Sequence, residues 1–170
     1  MKRIAVQICL VVAVAEPPLL AAPVSPQAVK QDIQRISESI RNHPTAEKFS
    51  ERARLHALCR DALGAVDDDS RAIELAPQRA DYYVDRATDL SDLNRLNEAI
   101  ADCNKALTLA KYGSTAYMGA LRIRANAFFE KSQFDKAKSD ILILIKLGDS
   151  VAPKSLQQIN RASAARRQAK

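Results

Sequence analysis

The segment YVDRATDLSDLNRLNEAIADCNKAL, residues 83–107, decides the fold. Tyr83, Ala87 and Leu90 recur at spacings of four and three, which places them on one face of a helix. Leu96, Ala99, Ile100, Cys103, Ala106 and Leu107 form a second such face. Asp92 to Arg95 leave room for nothing but a tight turn, so the two helices must lie antiparallel, side by side. Alanine in the facing slots lets the backbones approach, and the bulkier slots fill the space alongside.

Outward from this segment the pattern repeats. A shift of 34 residues toward the N-terminus carries Tyr83 to Phe49, Ala87 to Ala53, Ala99 to Ala65 and Ala106 to Ala72. A shift of 38 in the other direction carries the same residues to Leu121, Ala125, Ala137 and Leu144. The extra residues of the second shift fall around Lys111 to Thr115, where Gly113 marks a helix end or a one-turn extension. Self-similarity at this period is the sequence mark of stacked helical hairpins.

These residues resemble the tetratricopeptide repeat family, whose unit has an aromatic residue early in its first helix, a small residue one turn on, small residues in the second helix and a closing proline. Tyr83 to Ala87 with Leu96 to Leu107 looks like a nearly complete copy, and Ala65 through Ala72-Ile73-Glu74-Leu75-Ala76-Pro77 resembles the second half of another. Phe128, with Phe134-Asp-Lys-Ala137 and Ile141, matches a third. The resemblance covers about residues 46–149. It implies an all-α fold, a right-handed superhelix of antiparallel hairpins.

The expected layout is a domain over 28–170 with repeats at about 46–79, 80–113 and 118–149. A front capping helix is expected over 28–43, because Val29, Ile33, Ile36 and Ile40 have helical spacing and Pro44 stops them. A rear capping helix is expected over 153–170, opened by Pro153, with Leu156 and Ile159 on one side and basic residues elsewhere. The copies also depart from one another. Asp69 stands in the slot of Cys103 and Ile141, which predicts looser packing in the first repeat. The third repeat has Leu144 in a small slot and closes on Asp149 without proline, which predicts distortion near its end. Ile141 to Ile145 is apolar on every side of a helix, so the final helix or another chain should cover it.

The chain opens as an export signal does. Lys2 and Arg3 precede an apolar run from Ile4 to Ala15 broken only by Gln7, and Ala13-Val14-Ala15 offers a small-x-small cleavage site after Ala15. The run is too short for a membrane span, and Ile8 before Cys9 argues against a lipoprotein. Residues 16–27, with Pro17, Pro18, Pro23 and Pro26, read as a disordered tether. Cleavage would remove two basic residues and no acid, taking the formal charge from +6 to +4. A periplasmic or secreted setting is expected. The basic surplus in the tail, at Lys154, Arg161, Arg166, Arg167 and Lys170, reads as a solvated face and not a nucleic-acid site, since no aromatic accompanies it.

No nucleophile motif, phosphate-binding glycine loop or zinc spacing is present, so neither catalysis, cofactor nor metal is expected. His56 and Cys59 share a helical face, but two ligands make no metal site and His56 falls in the slot of Leu90 and Phe128. Cys59 and Cys103 are read as packed thiols. Asp67-Asp68-Asp69 reads as acids facing the dipole in the first turns of a helix.

What remains is binding. The family resemblance implies an inner wall formed by the first helix of each repeat, here Glu47, Ser50 and Arg54, then Asp81, Val84 and Thr88, then Arg122, Asn126 and Phe129. Some relatives grip a C-terminal carboxylate with Lys and Asn side chains. Arg122 with Asn126 matches one piece of that clamp, but Asp85 stands where a neutral amide is wanted. The expectation is a scaffold for a peptide or partner helix, held through Arg54, Arg122 and Phe129 without a carboxylate clamp. The alternative is a homo-oligomeric structural protein that assembles through the 141–145 run.

Overall fold

A computed structural model describes residues 25–168. The export signal, Ala15, Cys9 and residues 16–24 of the tether lie outside the described residues. Eight helices follow in chain order: α1 (Pro26–Asn42), α2 (Ala46–Leu58), α3 (Ala62–Leu75), α4 (Ala80–Asp92), α5 (Leu96–Leu109), α6 (Thr115–Glu130), α7 (Phe134–Lys146) and α8 (Ala152–Gln168). Each packs on the next, and α4 also packs on α6, so the hairpins α2–α3, α4–α5 and α6–α7 stack in sequence order.

The small slots explain the nesting. Ala53, Ala65, Ala72, Ala87, Ala99, Ala106, Ala125 and Ala137 are all buried, and Leu144 fills the one enlarged slot without being expelled. Two apolar clusters result. One is built on Tyr83, Ala87, Leu90 and Cys103, the other on Leu121, Ile141, Leu144 and Ile159, and Leu107 borders both.

The turns inside the three hairpins are copies of one motif. Arg60, Asn94 and Ser132 each adopt a left-handed conformation (φ 59°, 58° and 57°). The amide after each reaches back five residues: Asp61 N–H to His56 O, Arg95 N–H to Leu90 O, and Gln133 N–H to Phe128 O. This is a Schellman cap, which satisfies the orphan carbonyls at a helix end.

Several expectations need correction. Helix α1 begins at Pro26, inside the stretch read as tether, because Ser25 caps it by accepting from Ala28 N–H and proline suits a first helical position. The first helix of the third repeat starts at Thr115, capped by Ser114. Of the four extra residues there, one lengthens the loop and three lengthen α6 to 16 residues against 13 in α4. The end of that repeat is not distorted. Gly148 (φ 81°) closes α7 with the same Schellman pattern, and Asp149 accepts from the amides of Val151 and Ala152 to start α8.

Helix α8 lies against α7, where Leu156 and Ile159 meet Ile141 and Leu144, as the apolar run required. Only Leu142 of that run stays well exposed. Asp67, Asp68 and Asp69 lie mid-helix in α3 and not in its first turn, so the dipole does not explain them. Asp69 is wholly enclosed at 0% exposure, not loosened toward solvent. Among the described residues no helix is long and apolar enough to cross a membrane.

Candidate functional site

The wall residues come from α2, α4 and α6, and three observations show that these helices face one another along a shared surface. Arg54 of α2 donates to Asp85 of α4, Nη2 to Oδ2 at 3.0 Å. Near the start of the same helices Arg79 stands 4.0 Å from Glu47 and 3.7 Å from Asp81. Between α4 and α6, a Cβ on Gly119 would lie 3.2 Å from Val84 Cγ1, so the missing side chain lets the two helices close on each other.

Along that surface Glu47, Arg54, Asp81, Thr88, Arg122, Asn126 and Phe129 are exposed, and Val84 is partly covered by the core. Ser50 is the correction. It is buried at the foot of α2, because that position packs inward, and it has no surface to offer a ligand. The two arginines are also engaged. Arg54 is held by Asp85, and Arg122 donates to Asp149, the residue that caps α8. The guanidinium hydrogen bond holds the Asp149 carboxyl below the usual carboxylate range, against its burial. Phe129 is edge-on to Phe134 of α7, with centroids 5.6 Å apart.

The structure also shows side-chain work that the sequence reading missed. Each hairpin is stapled by a bidentate arginine–aspartate pair. Arg52 holds Asp68 with Nε at 2.7 Å and Nη2 at 2.6 Å, Arg86 holds Asp102 at 2.7 and 2.8 Å, and Arg124 holds Asp140 at 2.9 and 2.7 Å. The remaining nitrogen of each reaches back to the preceding helix, to Ser37, Ser70 and Asn104. The pairing holds each guanidinium above its ordinary range despite partial burial. The signal was present: 52, 86 and 124, and likewise 68, 102 and 140, obey the same shifts of 34 and 38 as the alanines.

The histidine and cysteine readings also change. His56 is not core-packed like Leu90. It is partly exposed, and its Nδ1 lies 2.8 Å from Asp61, which also accepts from Gly64 N–H. Cys59 is exposed where α2 ends and is not a packed thiol, because the helix turns over there. Cys103 is buried, and burial pushes its thiol up to about 12, which leaves it inert. Both are free thiols. Among the described residues no group of three His, Cys, Asp or Glu side chains gathers as a metal would need.

No protein-family model and no curated protein sequence matches the chain. Solved structures do. The first TPR of Spaghetti (RPAP3), bound to the HSP90 peptide SRMEEVD, is 23% identical, covers 71% of this chain and 94% of its own, and has a TM-score of 0.66. The TPR2B domain of yeast Sti1, in its pHsp70 complex, is 22% identical, with coverages of 71% and 97% and a TM-score of 0.61. The crystal structure of MamA is 16% identical, with coverages of 84% and 83% and a TM-score of 0.74. Hairpin order, alanine nesting and these likenesses agree: the chain has the tetratricopeptide-repeat fold, an all-α solenoid of antiparallel hairpins between two capping helices.

Proposed function

We propose that this chain is a non-catalytic scaffold of the cell envelope that binds an extended peptide or a partner helix along the surface shared by α2, α4 and α6. The observation that carries the reading is that surface itself: the first helices of three successive hairpins face one another and leave Glu47, Arg54, Asp81, Thr88, Arg122, Asn126 and Phe129 exposed along it. The RPAP3 domain is solved with a bound HSP90 peptide and the Sti1 domain in a pHsp70 complex, and these support the same use here. The apolar opening with its Ala13-Val14-Ala15 site supports export, and with it a periplasmic or secreted setting.

The engaged arginines refine the mechanism. Arg54 and Arg122 already hold Asp85 and Asp149, so neither is a free cation waiting for a C-terminal carboxylate. A ligand would instead lie across a mixed-charge wall, anchored on Phe129 and exchanging with the exposed Arg54–Asp85 pair. Pull-down from an envelope extract should recover a specific protein, and Arg122→Glu should lose it. Because Arg122 supports the cap of α8, helicity by circular dichroism is read alongside, and Phe129→Ser serves as a second variant away from that cap. Retention of the partner by both folded variants would rule out the groove.

A further inference from the structure

Four of the six buried aspartates are paired with a cation. Asp68, Asp102, Asp140 and Asp149 each have an arginine. Asp69 and Asp89 do not. Asp69 is wholly buried, and neither of its oxygens accepts a hydrogen bond from a described N–H or hydroxyl. Its charge and that of Asp89 on the neighbouring helix α4 disfavour each other's ionisation. Asp89 is itself only 7% exposed, and that remaining surface opens into a pocket of about 800 Å³ between the α2–α3 turn and the end of α4.

The walls of this pocket describe its ligand. Asp92 joins Asp89 on one side, while Leu58, Leu63 and Leu93 supply apolar surface, with Leu58 and Leu63 exposed. The pocket sits at the C-terminal end of α4, where the helix dipole is negative and the last turn carries no basic residue. Asp61, also in the wall, is already occupied by His56 and Gly64 N–H. Arg60 also lines the pocket. The carboxylates do not gather closely enough for a metal ion. Two carboxylates beside leucine surface suit an extended cation with several donors and an apolar stem, which describes arginine better than lysine.

We propose that this pocket receives the guanidinium of an arginine carried by a bound polypeptide, with Asp89 and Asp92 as its acceptors and the three leucines packing its stem and neighbours. The inference rests on the reading of the chain as a peptide scaffold, but not on the wall of α2, α4 and α6. Burial, together with the charges of Asp85 and Asp92 from α4, pushes Asp89 up to about 6. Burial and the charges of Asp85 and Asp89 push Asp69 up to about 8, and Arg54 of α2 offsets this only in part. A bound guanidinium supplies the missing positive charge and releases protons, so binding tightens as pH rises through this range.

The test is titration of the full chain with the blocked peptide acetyl-Leu-Arg-Leu-amide, its citrulline analogue and arginine amide alone. The arginine peptide should bind about tenfold or more tighter than the citrulline peptide, which keeps the shape and loses the charge. Arginine amide should bind about tenfold weaker for want of the leucines. Affinity of the arginine peptide should rise at least about threefold between about pH 5.5 and pH 8.5. Asp89→Asn should weaken it about tenfold, with Asp92→Asn, on an exposed position, read in the same way if the first variant unfolds. Equal binding of arginine and citrulline peptides, or indifference to both substitutions, would overturn the proposal. Arginine amide matching the peptide would make this a small-molecule site and overturn the polypeptide assignment. No binding of the arginine peptide, with an envelope partner still lost on Arg122→Glu, sinks the pocket and leaves the groove standing.

Discussion

Asp69 keeps a proton that an ordinary aspartate releases near 3.8, holding it up to about 8 because it is buried between carboxylates with only Arg54 in partial compensation. The sign of the consequence is fixed. Between those values the native state binds a proton that the unfolded chain has lost, so this group makes the protein less stable as pH rises from about 4 to about 8. Asp89, raised to about 6, acts in the same direction. An asparagine at 69 keeps the shape of the side chain and carries no charge to desolvate. Asp69→Asn should therefore be more stable than the parent at pH 8.5 by about 1–3 kcal/mol, with the difference shrinking toward pH 5, as read from urea midpoints. A difference that grows toward acid would refute this account of the pair. The sequence showed Asp69 as a misfit in an apolar slot. It did not show Asp89 opposite, because that meeting depends on the register between one hairpin and the next.

At the scale of the element, the alanines let helices approach and the arginine–aspartate pairs fix which approach is made. Arg86 is only about a quarter exposed and Asp102 less than a tenth, so removing one partner strands a desolvated charge. Asp102→Ala should cost about 2–4 kcal/mol in urea unfolding, whereas Arg86→Met with Asp102→Leu should lose much less, because no charge is left behind. Costs that simply add would mean that the staple carries no coupling. Helix existence was legible from the period of Tyr83, Ala87 and Leu90, and so were most helix ends. Staples were harder to see, since Arg86 and Asp102 are 16 residues apart and belong to no helical face until the turn at Asn94 brings them together. Cys59 and His56 were misplaced because a slot alignment carries over position and not partners: His56 turns to Asp61, and Cys59 caps the exposed end of α2.

For the whole molecule, eight helices in chain order yield one surface from α2, α4 and α6 and a separate acidic pocket at the turn edge. The choice of wall residues could be carried over from the family pattern slot by slot, and eight of the nine sit where a ligand could touch them. Ser50 does not, because the slot pattern records position along a helix but not how deeply each side of it is buried. Nor could the pattern reveal that Arg54 and Arg122 are engaged, since Asp85 and Asp149 come from other elements. The central claim is that binding occurs on this wall and not on the opposite helices. A photo-crosslinking residue at Thr88, exposed on α4, and another at Lys105, exposed on α5, test it directly in an envelope extract. The account predicts a specific crosslinked partner from Thr88 and none from Lys105; the same partner captured from Lys105 alone, or equally from both, would contradict it.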